Sequence, residues 1–334
     1  MQVVVLGATG NVGTAVMRAL GRDADVTSIV GVARRTPTRA QVWPGAEKAT
    51  WRSADIAQDP LDFVAGADAV IHLAWMIQPS RDEPAMWATN VTGSRRVLDA
   101  LREHDVLRLV YASSVGTYAS SAKHPRRSED WPATGIPTST YSRHKAEVEH
   151  MLDEVEATDQ RLGIVRLRTS LVFQRSAASE IHRLFLGRLA PWHLPRPLRI
   201  IPRSAKLTFQ ATHADDIADA YVRAVHSDAI GAFNVAAEPV LTAASIAGMV
   251  DGRNVPIPDR LVRAAAAVTY ATRLQPTEPG WFDMATRSPI MDTTRVREEL
   301  GWSERISAES ALREVLEGIG DGAGGPTAAL APRR

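Results

Sequence analysis

The sequence contains no cysteine, few lysines and no long hydrophobic run. The absence of cysteine among 334 residues excludes disulfides, thiolate nucleophiles, cysteine-ligated zinc and iron–sulfur clusters. Lys and Arg together number 39 against 38 Asp and Glu, and this net charge of +1 lacks the basic excess of a nucleic-acid-binding protein. No apolar stretch approaches the roughly 18 residues of a membrane-spanning helix. The N-terminus lacks the features of a signal peptide, so we expect a cytoplasmic protein with no nucleic-acid or membrane partner.

Short apolar runs alternate with segments of helical periodicity in the first half of the chain. This pattern predicts strands at residues 3–6, 26–33, 68–73, 107–112 and 163–167, and helices at 11–21, 87–101 and 140–155. Alternating strands and helices need right-handed crossovers and form a mostly parallel sheet. The predicted strands are almost continuously apolar, as is typical when helices cover both faces. We therefore expect the α/β class, with a doubly wound, parallel-sheet Rossmann fold.

The pattern becomes less regular after about residue 170. Helices are predicted at 215–226 and 260–273, a strand at 232–235, and connections at 190–202, which holds four prolines, and at 252–258. We expect a dinucleotide-binding domain over residues 1–169, to which 208–235 return. Residues 170–207 and 236–318 would form a smaller, mixed substrate-binding sub-domain. The segment 319–334 is rich in Gly, Ala and Pro, and we expect a disordered tail there.

A glycine-rich loop, Gly7-Ala8-Thr9-Gly10-Asn11-Val12-Gly13, lies between the first predicted strand and the first predicted helix. Glycines permit a tight turn and a close approach of the backbone to a pyrophosphate, which rests on the helix N-terminus. The G-x-x-G-x-x-G spacing is weak alone, but its place after a strand and before a helix is the required context. We expect a dinucleotide to bind at Gly7, Thr9, Gly10, Asn11, Val12 and Gly13. The alternative is a glycine-rich turn without a ligand.

The second predicted strand ends in two arginines, Arg34 and Arg35, with no carboxylate beside them. An acidic residue at this place would bind the ribose 2′-hydroxyl of NAD, whereas arginine accommodates the 2′-phosphate of NADP. Guanidinium groups form charge-assisted hydrogen bonds to phosphate. We therefore favour NADP over NAD. The alternative is a pair of solvated arginines in an arginine-rich chain.

A tyrosine and a lysine lie four residues apart at the start of a predicted helix. Tyr141 and Lys145 therefore share one helix face, and Lys145 is one of only four lysines in the chain. A nearby ammonium favours the phenolate, so we expect a lowered pKa for Tyr141 and an acid/base role. Ser113 and Ser114 end an earlier strand, where a hydroxyl could bond a substrate oxygen. The alternatives are a surface pair on an amphipathic helix and a loop-capping serine.

Together these features resemble the extended short-chain dehydrogenase/reductase family, also called the NAD-dependent epimerase/dehydratase family. Asp55-Ile56 resembles its adenine-contacting pair, and His72-Leu73-Ala74-Trp75 the segment under the cofactor pyrophosphate. Asn90-Val91-Thr92-Gly93-Ser94 is similar to its Asn-x-x-Gly-Thr helix. The resemblance implies cofactor contacts at Asp55, Ile56, Leu73, Ala74, Trp75, Asn90, Ser113, Tyr141 and Lys145. It also implies that Ser114, Tyr141 and Lys145 are catalytic, with Lys145 lowering the pKa of Tyr141 and binding the nicotinamide ribose.

Departures from the family pattern limit the range of expected reactions and substrates. Val115 and Gly116 stand where the dehydratases have Asp-Glu, so elimination is disfavoured. Leu171 and Phe209 stand where nucleotide-sugar enzymes commonly carry the Asn and Arg that hold the diphosphate, and apolar groups cannot bind it. Other arginines, namely Arg175, Arg199 and Arg203, are possible substitutes.

Three functions remain open. The first is an NADP-preferring oxidoreductase acting on a small or partly apolar carbonyl or alcohol. The second is a nucleotide-sugar 4-epimerase that keeps NAD tightly bound, and the third is a non-catalytic NADP-sensing regulator. The nine histidines form no recognisable metal-ligand pattern, so no metal is expected. Trp75 and Trp192 are candidates to face the ligand. The resemblance further suggests a homodimer that pairs through helices 87–101 and 140–155.

Overall fold

The computed structural model describes residues 1–37, 43–78, 81–186 and 199–332. The strands within them are β1 (Gln2–Leu6), β2 (Ser28–Ala33), β3 (Ala49–Ser53), β4 (Ala69–His72), β5 (Arg108–Ser114), β6 (Gly163–Thr169), β7 (Leu171–Phe173), β8 (Ile200–Pro202), β9 (Thr208–His213), β10 (Gly231–Val235), β11 (Ala237–Thr242) and β12 (Arg253–Val255). The α-helices are α1 (Asn11–Arg22), α2 (Glu83–Trp87), α3 (Gly93–Glu103), α4 (Thr140–Thr158), α5 (Ala178–Ile181), α6 (Ala214–His226), α7 (Ala243–Met249), α8 (Asp259–Ala271), α9 (Gly280–Arg287), α10 (Thr294–Glu299) and α11 (Ala308–Gly320).

Seven of the strands in the described residues form one sheet in the order β10-β6-β5-β4-β1-β2-β3. Each neighbouring pair in this sheet is parallel. The chain builds outward from β1 in both directions, which makes the sheet doubly wound and opens a crevice at the carboxyl ends of the central strands. The predicted Rossmann fold is confirmed.

The core lies in two layers, one on each face of this sheet. Val3 and Val5 of β1 pack on the face covered by α1 and α6. Val4 and Leu6 point the opposite way, into the cluster that includes α3 and α4. Successive side chains of a strand alternate between faces, so an uninterrupted apolar run is what a strand covered on both faces requires.

A smaller, mixed sheet lies beyond β6. Strand β9 pairs with β7 in parallel and with β11 in antiparallel orientation. A further parallel pair joins β8 to β12. The α11 helix packs beside β9 and β11, around the buried Leu241 and Leu312. In the part of the chain that the structure describes, no helix has the length and apolar character needed to cross a bilayer.

Several predicted elements differ from the structure. The helix predicted at 87–101 is a continuous run of α2, a π-helical turn (Ala88–Thr92) and α3. The predicted connections at 190–202 and 252–258 contain the short strands β8 and β12. Residues 187–198, including Trp192, lie outside the described residues. Strand β3 was not predicted because it is half-exposed at the sheet edge and carries a mixed ATWRS sequence.

The C-terminal segment differs most from its prediction. Residues 321–332 do not trail into solvent as a disordered tail but fold back onto the Rossmann domain. Leu330 is fully buried, and Thr327 is almost so. Glycines make this packing possible, since a Cβ at Gly324 would lie 2.4 Å from the Pro332 nitrogen. The small residues of this segment led to the prediction of disorder, and in the structure the same residues allow close packing.

Candidate functional site

The glycine loop after β1 has the backbone geometry of a tight turn. Gly7 has a φ of +85° and a virtual Cβ only 2.7 Å from the Ala74 nitrogen, so a side chain would be strained there and would clash with the segment after β4. A Cβ at Gly13 would lie 2.2 Å from the Gly7 carbonyl oxygen. Gly10 is different, because its Cβ would meet nothing closer than 3.6 Å. Gly10 also caps α1 without a side-chain hydrogen bond, so the first-turn amides of α1 are not covered by a cap.

A cleft of about 450 Å³ lies over this loop. The residues predicted to contact a cofactor that line it are Gly7, Thr9, Gly10, Arg34, Arg35, Asp55, Ile56, Leu73, Ala74 and Trp75. These residues come from the carboxyl ends of β1 and β4 and from the segments after β2 and β3. They are brought together because parallel strands end at the same edge of the sheet.

Three predicted residues of the glycine loop have structural positions instead of lining the cleft. The Asn11 side chain donates to the Val172 carbonyl at 2.9 Å and accepts from Gln174 Nε2 at 2.9 Å. Val12 packs against the core below the sheet. Gly13 allows the close contact with Gly7 described above. These contacts fix the start of α1, and the uncapped first-turn amides of α1 belong to the same three residues.

Asn90 and Ser113 lie behind the residues that line the cleft. Asn90 is fully buried and clamps the chain after β4, since its Oδ1 accepts from the Met76 nitrogen at 2.7 Å and its Nδ2 donates to the Met76 carbonyl at 2.9 Å. The hydroxyl of Ser113 donates to the carboxylate of Glu149. Neither residue lines the cleft, and their predicted contacts with a dinucleotide remain predictions.

Arg34 and Arg35 are both exposed and both line the cleft. Among the described residues, neither guanidinium has a carboxylate within salt-bridge distance. Asp55 lines the same part of the cleft, but one of its oxygens already accepts from the Ala57 nitrogen at 3.0 Å. Within the described residues, this end of the cleft therefore offers an anionic group two cations that have no carboxylate partner.

The Ser114 hydroxyl lies next to the Tyr141 phenol and acts to lower its pKa. The Ser114 oxygen itself accepts from the Gly116 nitrogen at 3.0 Å. The start of α4 is fixed against the end of β5, because the Ser142 hydroxyl donates to the Gly116 carbonyl and accepts from the Ile136 nitrogen at 2.7 Å. Gly116 lies against the tyrosine ring, and a Cβ there would be 2.9 Å from Tyr141 Cε1. The structure therefore brings Ser114 and Tyr141 together, and their catalytic roles remain predictions.

The environment of Lys145 differs from the expectation. Its ammonium donates to the Ala112 carbonyl at 2.6 Å and lies 3.4 Å from the centre of the Trp75 ring, but 5.9 Å from that of Tyr141. Burial lowers the pKa of Lys145 well below its usual value, although Glu149 opposes this shift. Burial also raises the pKa of Tyr141 to about 12, with the neighbouring Ser114 hydroxyl acting in the opposite direction. The predicted lowering of the Tyr141 pKa by Lys145 is therefore wrong for this structure, because desolvation of the phenol is the larger effect.

Aromatic rings surround the tyrosine. Trp75 lines the cleft and meets Tyr141 edge-on, with ring centroids 6.0 Å apart. Trp281 of α9 lies on the other side of Tyr141 at 4.9 Å, and Phe185 contacts Trp281 at 4.9 Å. The surroundings of the phenol are therefore predominantly apolar.

Two groups of site residues were not predicted. The first is a buried ion-pair network beneath Ser113, in which Glu149 accepts from both Arg166 and Arg168. The sequence did contain a sign of this network, because β6 is otherwise apolar and carries arginines at alternate positions. Such residues lie on the same face of a strand. The second group, Glu180, Arg183, Ala328 and Ala329, lines the cleft from outside the Rossmann sheet. Nothing local in the sequence connects these residues to the glycine loop.

A family model described as NAD dependent epimerase/dehydratase family matches residues 3–236. The chain belongs to this family. The match covers every strand of the parallel sheet as well as the glycine loop, Ser114, Tyr141 and Lys145. It confirms the resemblance inferred from these residues and agrees with the expectation of a dinucleotide-dependent enzyme.

Individual relatives of this family member are distant. It is 25% identical over 260 residues to the uncharacterized protein y4nG of Sinorhizobium fredii. This alignment covers 75% of this chain and 63% of y4nG. It spans 66% of the length of a Mycobacterium tuberculosis relative, at 24% identity. A UDP-glucose 4-epimerase of Corynebacterium glutamicum is 25% identical, covering 95% of this chain and 94% of the epimerase.

The same architecture is found among solved structures. UDP-glucuronic acid 4-epimerase from Bacillus cereus, in complex with UDP-glucuronic acid and NAD, superposes with a TM-score of 0.70. The comparison covers 96% of this chain and 99% of that one, at 18% sequence identity. At this identity the likeness establishes the fold alone.

Proposed function

We propose that this protein is an NADP-preferring oxidoreductase that transfers a hydride to or from the carbonyl carbon of a small, partly apolar substrate. The observation that carries the proposal is the combination of a glycine-loop cleft with Tyr141 and the end of β5, where Ser114 lies, packed together beside it. Trp75 joins the two, because it lines the cleft and contacts Tyr141.

The cleft fits a dinucleotide on physical grounds. Gly7 and Gly13 have no room for a side chain, whereas the space beside Gly10 is open, as a pyrophosphate approaching the start of α1 requires. Arg34 and Arg35 would hold a ribose 2′-phosphate, since both are exposed in the cleft and have no carboxylate partner among the described residues. The bound dinucleotide would supply or accept the hydride.

The protonated Tyr141 can serve as the acid when a carbonyl is reduced. With a pKa raised to about 12, the phenol stays protonated at neutral pH and can donate its proton to a substrate oxygen. Ser114 would hold the same oxygen by a hydrogen bond. The Lys145 ammonium now contacts the Trp75 ring and the Ala112 carbonyl. It would have to leave these two partners before it could interact with a substrate or a ribose.

The apolar surroundings support a substrate without a diphosphate. Trp75 and Trp281 contact the ring of Tyr141, and Phe185 packs on Trp281. The three arginines considered as diphosphate ligands are engaged with other groups: Arg175 pairs with Asp321, Arg199 donates to the Val250 carbonyl, and Arg203 donates to the Asn254 carbonyl. Leu171 and Phe209 leave the corresponding family positions apolar.

The test is the oxidation of NADPH, followed by absorbance, with a panel of aromatic and aliphatic ketones and aldehydes. Tyr141→Phe should lower kcat by about 10²–10⁴-fold and leave the Kd for NADPH unchanged. Tyr270→Phe, which removes a hydroxyl from α8 and keeps the ring, is the matched control. Equal turnover by Tyr141→Phe and the wild type would remove Tyr141 from the mechanism.

The choice of NADP has a separate test. Arg34→Ala should raise the Kd for NADPH about tenfold, the loss of a charge-assisted hydrogen bond, and leave the Kd for NADH unchanged. An equal effect on both coenzymes would refute a role for Arg34 in recognising the 2′-phosphate.

The second candidate is a nucleotide-sugar 4-epimerase, favoured by the similarity to the Corynebacterium glutamicum enzyme over nearly the whole chain. An epimerase regenerates its own coenzyme, so NAD retained through purification and interconversion of UDP-glucose and UDP-galactose would establish it. A purified protein that exchanges freely with added NADPH would count against it. The homodimer and the cytoplasmic location remain predictions, and light scattering would test the dimer.

A further inference from the structure

Residues 322–332, the C-terminal strap, are fixed to the glycine loop. The Thr327 hydroxyl donates to the carbonyl of Thr9 at 2.7 Å. The Gly325 nitrogen donates to the Leu330 carbonyl at 2.7 Å, which closes the strap into a turn around the fully buried Leu330. Ala328 and Ala329, between these contacts, line the cleft. The strap is therefore one wall of the dinucleotide cleft, formed more than 300 residues from the loop that it touches.

Arg183 lines the cleft beside the strap and is oriented by it. Its Nη1 donates to the Ala331 carbonyl at 2.8 Å, and its Nη2 donates to the Ala329 carbonyl at 2.6 Å. A guanidinium has five N–H donors in a fixed planar arrangement, so these two bonds hold the group in place. Among the described residues no other acceptor takes the remaining donors. Because both partners are neutral carbonyls, the positive charge of Arg183 is not cancelled by them.

The nearby acid does not fully neutralise this charge. Glu180 lies one helical turn before Arg183 and also lines the cleft. Burial raises the pKa of the Glu180 carboxyl to about 7, with Arg183 acting in the opposite direction. A carboxyl that is partly protonated at neutral pH compensates only part of a neighbouring positive charge. The cleft therefore presents a cation on the side facing the glycine loop.

We infer that Arg183, oriented by the C-terminal strap, binds the pyrophosphate of the dinucleotide from the side opposite the start of α1. This assignment rests on the proposed function for the identity of the ligand. The pyrophosphate carries two negative charges, and the α1 amides can satisfy only one side of it. A planar guanidinium suits the other side, because its parallel N–H groups match two phosphate oxygens. Arg34 and Arg35 would then recognise the 2′-phosphate, and Arg183 the group common to NADP and NAD.

The test compares two probes by isothermal titration calorimetry. ADP-ribose contains the pyrophosphate, whereas 2′-AMP contains the adenosine 2′-phosphate without it. Arg183→Gln should weaken ADP-ribose about ten- to hundredfold, the usual effect of losing hydrogen bonds from a charged group, and leave the 2′-AMP affinity unchanged. Arg183→Lys keeps the charge without the planar fork and should restore part of the affinity.

Thr327→Val tests the role of the strap, since it removes the hydroxyl donor with little change of volume. It should weaken ADP-ribose by a smaller factor, about threefold, because Arg183 keeps its charge but loses part of its support. A melting temperature close to that of the wild type would exclude general unfolding as the cause. Unchanged ADP-ribose affinity in Arg183→Gln would overturn the inference. So would tighter binding by Thr327→Val, which would mean that the strap blocks the cleft.

The outcome separates this inference from the proposed function. A protein that binds ADP-ribose through Arg183 but reduces no carbonyl would refute the proposed activity and support the assignment of Arg183. A protein that reduces ketones with NADPH, while Arg183→Gln binds ADP-ribose normally, would support the activity and refute the assignment.

Discussion

Replacing Glu149 by glutamine should destabilise the protein more than any exposed charge replacement on the same helix. Glu149 is fully buried and accepts two hydrogen bonds from Arg168, at 3.0 and 2.9 Å, and one from Arg166 at 3.0 Å. Arg166 also bonds the carboxylates of Asp153 and Glu156. Within the described residues, Arg168 has no other carboxylate partner. Glu149→Gln would therefore leave the Arg168 charge buried without a counter-charge.

Two arguments give the same magnitude. The two arginines lower the pKa of Glu149 from 4.5 to about 2, against the opposing effect of burial, and a shift of this size corresponds to about 3 kcal/mol at neutral pH. Removing one partner of a buried ion pair typically costs about 3–5 kcal/mol. We therefore expect Glu149→Gln to lower the free energy of unfolding by about 3 kcal/mol at pH 7.

The measurement is urea unfolding followed by tryptophan fluorescence. Glu154→Gln is the matched control, because the Glu154 side chain is 70% exposed and its ion pair with Arg95 is as long as 4.0 Å. This replacement should lower the free energy of unfolding by no more than about 0.5 kcal/mol. The folded-state pKa of Glu149 lies below its unfolded value, so its contribution is complete above about pH 4.5 and is lost as the pH falls towards 2. The difference between wild type and Glu149→Gln should shrink to about half at pH 3. A difference at pH 7 no larger than that of the control would refute this reasoning.

Further predictions concern the glycine loop and the phenol. Gly13→Ala should lower the melting temperature and abolish dinucleotide binding, because its Cβ would lie 2.2 Å from the Gly7 carbonyl oxygen; an unchanged melting temperature would contradict this. Gly10→Ala should leave the melting temperature unchanged, because its Cβ would meet nothing closer than 3.6 Å, and should weaken NADPH binding measured by fluorescence, because Gly10 lines the cleft. The pKa of Tyr141 is raised to about 12 by burial, so the absorbance difference between wild type and Tyr141→Phe should show no tyrosinate up to pH 10. For the same reason carbonyl reduction should not slow between pH 7 and 10 through loss of this proton, and a titration midpoint below pH 10 would contradict the assignment.

The fold and the first part of the site follow from local sequence. The apolar run of β1, the glycines after it and the periodic helix α1 are adjacent in the chain, so their interaction needs no distant partner. Tyr141 and Lys145 share a face because they lie four residues apart on one helix. For the same reason the predicted strands of the parallel sheet agree with the structure to within about two residues at each end, the usual precision of element boundaries.

The electrostatic state of the site depended on residues far apart in sequence. Trp75, from the segment after β4, covers the Lys145 ammonium, and the surrounding packing desolvates Tyr141 enough to raise its pKa. The helical spacing of Tyr141 and Lys145 predicted a lowered pKa for Tyr141. That prediction took no account of burial, about which spacing contains no information.

Local sequence was enough to specify the doubly wound sheet, the glycine loop and the presence of the tyrosine–lysine pair, since each depends on periodicity or on neighbouring residues. The packing of the C-terminal strap on the glycine loop and the place of Arg183 in the cleft depend on the assembled fold. Contacts such as the one between Thr327 and Thr9 join residues 318 positions apart. Their strength comes from the exclusion of water by the packed chain around them, which no local pattern of residues can specify.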